Sequence, residues 1–178
     1  MLESANDVGV GLQIRPVAHG AIMRLKGWNA GEGSPRALIL GEIDAPEAVG
    51  RVSEGAVRAL CTGPQDWLVV WPQDASMYEA VLVDRAAAEG FFLADLSDAY
   101  SAWNLRGVRA RELLSKGCAL DLHPRSFCEQ HCARTRFAQI PVVLSCVRPD
   151  EFEIYALRSY ARYLHAWLMD ACELLEAT

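Results

Sequence analysis

Strands in this chain of 178 residues come in runs, with single helices between the runs. That order limits the available folds more than any one residue does. Leu12 to Val17 and Ile22 to Trp28 alternate apolar and polar residues, with His19-Gly20 between them. Ala56 to Thr62 and Trp67 to Trp71 flank the turn Gly63-Pro64-Gln65-Asp66. Phe91 to Asp95 and Tyr100 to Arg106 form a third pair. Ala133 to Val147 reads as one long strand broken at Pro141, and Phe152 to Arg158 returns after Arg148-Pro149-Asp150-Glu151. The capping box Ser76-Met77-Tyr78-Glu79 opens a first helix that stops at Gly90. Gly107 to Lys116 is a second, with Ala110, Leu113 and Leu114 on one face and Gly117 as its end. Ser159 is placed to cap a third, with an apolar stripe of Tyr160, Tyr163, Leu164, Trp167, Leu168, Ala171 and Leu175. A short helical turn is expected from Asp44 to Glu47, and Gly31 to Pro35 reads as a loop. No regular βαβα alternation exists, so the expectation is an α+β fold of mostly antiparallel sheet with packed helices.

The chain reads as a single domain in two halves, 12–90 and 91–178, behind a loose polar lead-in over 1–11. With 52% hydrophobic residues it can bury a substantial core. A net charge of −6 argues against a nucleic-acid partner, which selects a basic face. The longest apolar run, Ile140 to Leu144, contains a proline and is far short of a membrane span. The start Met1-Leu2-Glu3-Ser4 has neither the basic nor the apolar region of a signal peptide. Six cysteines in a chain of this size read as buried thiols in a reducing cytoplasm.

Little catalytic chemistry is written here. Gly9-Val-Gly11 lacks the third glycine of a dinucleotide loop, because position 14 is Ile. No phosphate-binding loop, H-E-x-x-H or G-x-S-x-G occurs. His123, Cys128, His131 and Cys132 lie within ten residues and carry ligands that zinc prefers. No second knuckle accompanies them, so a polar loop with buried thiols is the expected role. Cys118, beside Lys116 and past a helix C-terminus, is expected to be a buried structural thiol. Asp95, Ser97 and Asp98 sit at a strand end without a nearby histidine, which favours a loop role over general-base catalysis. Trp67 and Trp71, four apart on one strand, share a face.

Several stretches resemble the gamma subunits of heterotetrameric sarcosine oxidases. They are Gly63-Pro-Gln-Asp-Trp-Leu68, Asp95-Leu-Ser97-Asp98, Leu105-Arg-Gly107, the run from Leu113 to Arg125, Phe127, Cys132-Ala-Arg-Thr135 and the run from Arg158 to Leu168. Together they cover about residues 56–172, in order. The most specific is Lys116-Gly117-Cys118-Ala-Leu-Asp121-Leu-His123-Pro124-Arg125. The resemblance implies two related halves, similar to the folate-binding core of glycine-cleavage aminomethyltransferases. It implies a non-catalytic cytoplasmic subunit in a bacterial complex that demethylates sarcosine oxidatively to glycine. The one-carbon unit goes there to tetrahydrofolate or formaldehyde.

FAD, FMN, NAD, zinc and tetrahydrofolate then belong to other subunits. This chain is expected to have no catalytic, cofactor-binding or metal-binding residue of its own. The motif residues Lys116, Gly117, Cys118, Asp121, His123, Pro124, Arg125 and Phe127 are left to structure or interface. The implied partners are alpha, beta and delta subunits, alpha most directly, through an interface of about 2,000 Å² or more. Some of Trp28, Trp67, Trp71 and Trp103 are expected at a subunit surface, with Trp167 in the core. Beside a pure interaction domain recruited to an unrelated complex, two alternatives stay open. One is the equivalent subunit of a sister dehydrogenase for another N-methyl amino acid. The other is a free-standing folate-binding aminomethyl-transfer module with Asp95 or Asp98 at the folate amine.

Overall fold

A computed structural model describes residues 6–8, 11–27, 38–40, 43–53, 55, 57–72 and 83–176. In chain order these form β1 (Asn6–Val8), β2 (Leu12–Val17), β3 (Ala21–Gly27), β4 (Leu38–Leu40), β5 (Ile43–Ala45), β6 (Arg58–Gly63) and β7 (Asp66–Trp71). A helical stretch over 83–88 (α1) precedes β8 (Phe91–Asp95), β9 (Tyr100–Gly107) and α2 (Ala110–Gly117). Then come β10 (His131–Phe137), β11 (Ile140–Arg148), β12 (Glu151–Leu157), a 3-10 turn (Arg158–Tyr160) and α3 (Ala161–Glu176). The strands pair antiparallel throughout, in sheets of six, four and two. The α+β expectation therefore holds.

The chain divides into two compact units, one of Met1–Val17 with Ala99–Thr178 and one of Ala18–Asp98. The expected boundary at 90/91 is thus replaced by crossings at 17/18 and 98/99. Backbone pairing is the reason. β2 hydrogen-bonds to β9 with Leu12 opposite Gly107, whereas β8 joins β3 with Leu93 opposite Leu25. Within the expected lead-in, Asn6–Val8 is a strand paired to β2, not loose chain.

The discontinuous unit carries the six-stranded sheet, in the order β1-β2-β9-β12-β11-β10. Strand alternation sends Leu12, Ile14, Trp103, Leu105, Phe152, Ile154, Ala156, Val142 and Leu144 into one core. Ala110, Leu113 and Leu114 of α2 join them, as the 3.6-residue period requires. The buried stripe of α3 is Ala161, Leu164, Leu168, Ala171, Cys172 and Leu175, rotated from the expected one. Tyr160 and Tyr163 are exposed, and the Tyr163 hydroxyl donates to the Ala138 carbonyl at 2.8 Å. Ser159 does not cap α3 directly; it lies inside the 3-10 turn that leads into the helix.

The expected break at Pro141 lies elsewhere. The chain reverses at Ala138-Gln139, both at positive φ (+48° and +70°), as a two-residue hairpin turn between β10 and β11. Pro141 sits inside β11, opposite Arg136.

The second unit orders its four-stranded sheet β6-β7-β3-β8 around Met23, Leu25, Ala59, Trp67, Val69, Trp71 and Leu93. The Arg24 guanidinium grips the Asp66 carboxylate through two bonds, at 2.9 and 2.6 Å. No helix begins at Asp44: β5 runs through Ala45, and the Pro46 carbonyl accepts the Trp67 indole N–H at 2.8 Å. Gly90, at φ +81°, stops α1 as expected. The capping box at Ser76, the loop from Gly31 to Pro35 and Trp28 lie outside the described residues.

Gln139 is exposed and sits in a conformation that favours glycine. Gln139→Gly should raise stability by about 0.5–1 kcal/mol, net of the extra unfolded-state entropy of glycine. Urea unfolding followed by circular dichroism checks it, and a loss of stability would contradict this account of the turn.

Candidate functional site

The most specific sequence stretch lies between α2 and β10, where a single guanidinium organises it. Arg111 projects from α2 beneath the loop. Its Nη1 donates to the carbonyls of Leu122 (2.6 Å) and Phe127 (2.9 Å), and its Nε to that of Pro149 (3.1 Å). Nη2 lies 3.8 Å from the Cys146 sulfur, and the guanidinium carbon sits 4.8 Å above the centre of the Phe152 ring. The segment is thus tied to α2, β11 and the turn before β12 by one side chain. Leu122 and Phe127 anchor it from within, both buried in the core.

The loop also closes on itself. The Asp121 carboxylate accepts the His123 N–H at 2.9 Å. Its hydrogen bond with Ser126, and then the one from His123, hold its carboxyl below the usual aspartate range. The His123 carbonyl accepts the amides of Ser126 (2.8 Å) and Phe127 (2.9 Å), and His123 Nδ1 accepts that of Arg125 (3.2 Å). Pro124 restricts the backbone at the tip. His123, Pro124 and Arg125 themselves are exposed.

The other motif residues explain how the loop is seated. Gly117 has no room for a side chain: a Cβ there would come within 2.8 Å of the Trp167 ring and 2.9 Å of Phe137. Those two rings meet edge to face at 4.8 Å. Cys118 is buried, 3.6 Å from the Thr135 hydroxyl, and its sulfur accepts the Leu120 N–H at 3.4 Å. That is the structural thiol expected of it. Lys116 is exposed in the last turn of α2.

The His/Cys cluster does not converge. Cys128 is exposed, and its sulfur lies 3.7 Å from His131 Nδ1, which accepts the Cys128 N–H at 3.1 Å. His131 and Cys132 are neighbours on a strand and point to opposite faces, opposite Cys146 and Ser145 respectively. His123 Nδ1 is occupied by the Arg125 amide. Among the described residues, no group of three or more His, Cys, Asp or Glu could hold a metal ion. The donor set therefore does not fit zinc.

Asp95 Oδ1 accepts both the backbone N–H and the hydroxyl of Ser97, at 2.8 and 2.5 Å, which makes it a turn-forming carboxylate. Three of the four tryptophans considered for a subunit surface are buried, and Trp28 lies outside the described residues. Trp67, Trp71 and Trp103 are 1%, 5% and 2% exposed and belong to the cores. Trp167 is only partly buried, packed against the core beside Phe137. Arg111 itself is invisible in the sequence, where it is one polar residue on an amphipathic helix. The loop also brings a thiol and an imidazole, Cys128 and His131, within 3.7 Å of each other. It is an exposed loop tied to the core of its unit by one side chain.

Residues 36–173 match the Sarcosine oxidase, gamma subunit family. A curated relative, sarcosine oxidase subunit gamma of Corynebacterium sp. (strain P-1), is 34% identical over 129 residues, 71% of this chain. The matched stretch spans 63% of that relative's length. Among solved structures, the heterotetrameric sarcosine oxidase from Corynebacterium sp. U-96, in complex with pyrrole 2-carboxylate, has a similar chain. Its TM-score is 0.84 at 27% identity, over 94% of this chain and 86% of that one. The glycine cleavage system aminomethyltransferase T from Bartonella henselae shares the fold at TM-score 0.62 and 18% identity. That alignment covers 88% of this chain and 45% of the other.

Two tests follow from the Arg111 geometry. A lysine cannot reach three carbonyls at once, so Arg111→Lys should cost about 2–4 kcal/mol of stability. It should also speed amide exchange at Ser126 and Phe127. An unchanged urea midpoint with unchanged exchange would remove Arg111 from this role. Burial pushes the Cys146 thiol up to about 11, against the opposing pull of Arg111. The folded state thus keeps a proton that the unfolded chain gives up near pH 9. This contribution is complete below that pH and is lost as pH rises towards 11. Cys146→Ala should flatten the decline in stability across this window, measured by urea unfolding at several pH values. An equally steep decline would count against it.

Proposed function

Because the chain belongs to the sarcosine oxidase gamma subunit family, we propose that it is a non-catalytic subunit of a heterotetrameric complex. That complex oxidises sarcosine to glycine and passes the one-carbon unit to tetrahydrofolate or releases it as formaldehyde. The observation that carries this reading is the fold match to the Corynebacterium oxidase, which extends over 94% of the chain. The chemistry of the described residues supports it. Their clearest built feature is the loop that Arg111 holds over the core. FAD, FMN, NAD, zinc and tetrahydrofolate are assigned to the other subunits.

The partners are the alpha, beta and delta subunits, with alpha as the direct contact. No described helix is long and apolar enough to cross a membrane. Six cysteines without a disulfide among them suit a reducing cytoplasm.

Co-expression with the three other subunits tests the proposal. The chain should co-purify in a complex that turns over sarcosine. Alone, it should be colourless and inert towards sarcosine. Flavin absorbance that survives purification of the lone chain would overturn the non-catalytic role. So would a complex that assembles and works at full rate while this chain stays behind as a monomer.

A further inference from the structure

Cys61, Cys118, Cys132, Cys146 and Cys172 are buried, and Cys128 is the one exposed thiol of the six. An imidazole lies against its sulfur, which is 3.7 Å from Nδ1 and 3.9 Å from Nε2 of His131. Both groups are held from several sides. Phe127, one residue earlier, is buried in the core, and Arg111 binds its carbonyl. The Cys128 carbonyl accepts the His131 N–H at 3.1 Å, and the Cys146 carbonyl accepts the Gln130 N–H at 3.1 Å. The His131 ring packs on Phe127 with centroids 6.0 Å apart, and its Nδ1 accepts the Cys128 N–H. An accessible thiol kept in contact with an imidazole is how reactive cysteines are built, whereas packing cysteines are buried and inert. The buried thiols differ in chemistry as well as access. Desolvation pushes Cys61 up and Cys146 up to about 11, which keeps both in the unreactive protonated form.

From this pair we propose that Cys128 is a covalent modification site, which forms a mixed disulfide with small-molecule disulfides while His131 takes the thiol proton. The Cys128 sulfur attacks one sulfur of the small disulfide. A new S–S bond forms, and the small molecule's own S–S bond breaks. The proton passes to His131 and then to the departing thiolate, so one small thiol leaves for each one attached. The attached group stands next to the Phe127 anchor, at the foot of the loop that Arg111 holds. None of these contacts depends on the subunit reading above.

The test treats the full chain with dithiodipyridine, a neutral disulfide whose released thiopyridone absorbs light. Native wild type should release one thiopyridone per chain rapidly, and the unfolded chain all six. Peptide mass mapping should place the adduct on Cys128, and Cys128→Ser should release none on that timescale. His131→Asn keeps an oxygen to accept the Cys128 N–H, so the turn is preserved while the base is lost. Its labelling should be slower by about threefold or more near pH 7, and should match wild type near about pH 10, where thiols ionise without help. An unchanged rate in His131→Asn near neutral pH would overturn the pair. A deficit that persists at the alkaline end would overturn it too, because that marks lost access. Native labelling spread over several cysteines would remove Cys128 as the site.

Discussion

One guanidinium under a loop sets much of what this chain presents to the outside. Arg111 occupies carbonyls of Leu122, Phe127 and Pro149, which would otherwise be left on two segments with no regular secondary structure to satisfy them. Its stem leaves α2 next to the core residue Ala110, and its plane rests on Phe152 in the centre of the six-stranded sheet. The most specific motif of the family is therefore fixed to the most deeply packed part of the unit. Gly117 extends the same logic, because the close approach of Phe137 and Trp167 sets where α2 ends and the loop begins.

What could be read from sequence followed from periodicity. Phe152, Ile154 and Ala156 alternate into the core, and Leu113 and Leu114 face it at helical spacing. Those elements appear where the pattern puts them. The β10–β11 reversal was not legible, because Ala138 and Gln139 are poor candidates for positive φ. Only tertiary packing places them there, with Ala138 buried and its carbonyl bound by Tyr163. The boundary between units was hidden for a related reason: pairing between β2 and β9 is non-local, and nothing in Leu12 to Val17 names its partner. At the site, the loop residues were visible as a motif, but the residue that holds them was not. Bulk also misled. Trp67, Trp71 and Trp103 fill interiors, where an indole N–H can still find a carbonyl, as Trp67 does at Pro46.

The loop also shows how one segment divides its residues between two tasks. Leu122 and Phe127 point inward and belong to the core, while His123, Pro124 and Arg125 between them face water. Aromatic and aliphatic positions there answer to packing, and the polar ones to whatever meets the surface.

The pairing of β2 with β9 has a consequence for synthesis. β2 is made early, but its hydrogen-bonding neighbour is encoded only after the whole of Ala18–Asp98. A ribosome delivers that intervening unit complete before β9 emerges, so β2 waits with one edge unpaired, only β1 being available to it, while the following unit folds. Its apolar residues, Leu12 and Ile14, have no core to enter until then. The nascent chain thus carries a transient sticky edge, and its yield depends on how quickly translation passes the stretch from Ala99 to Leu157.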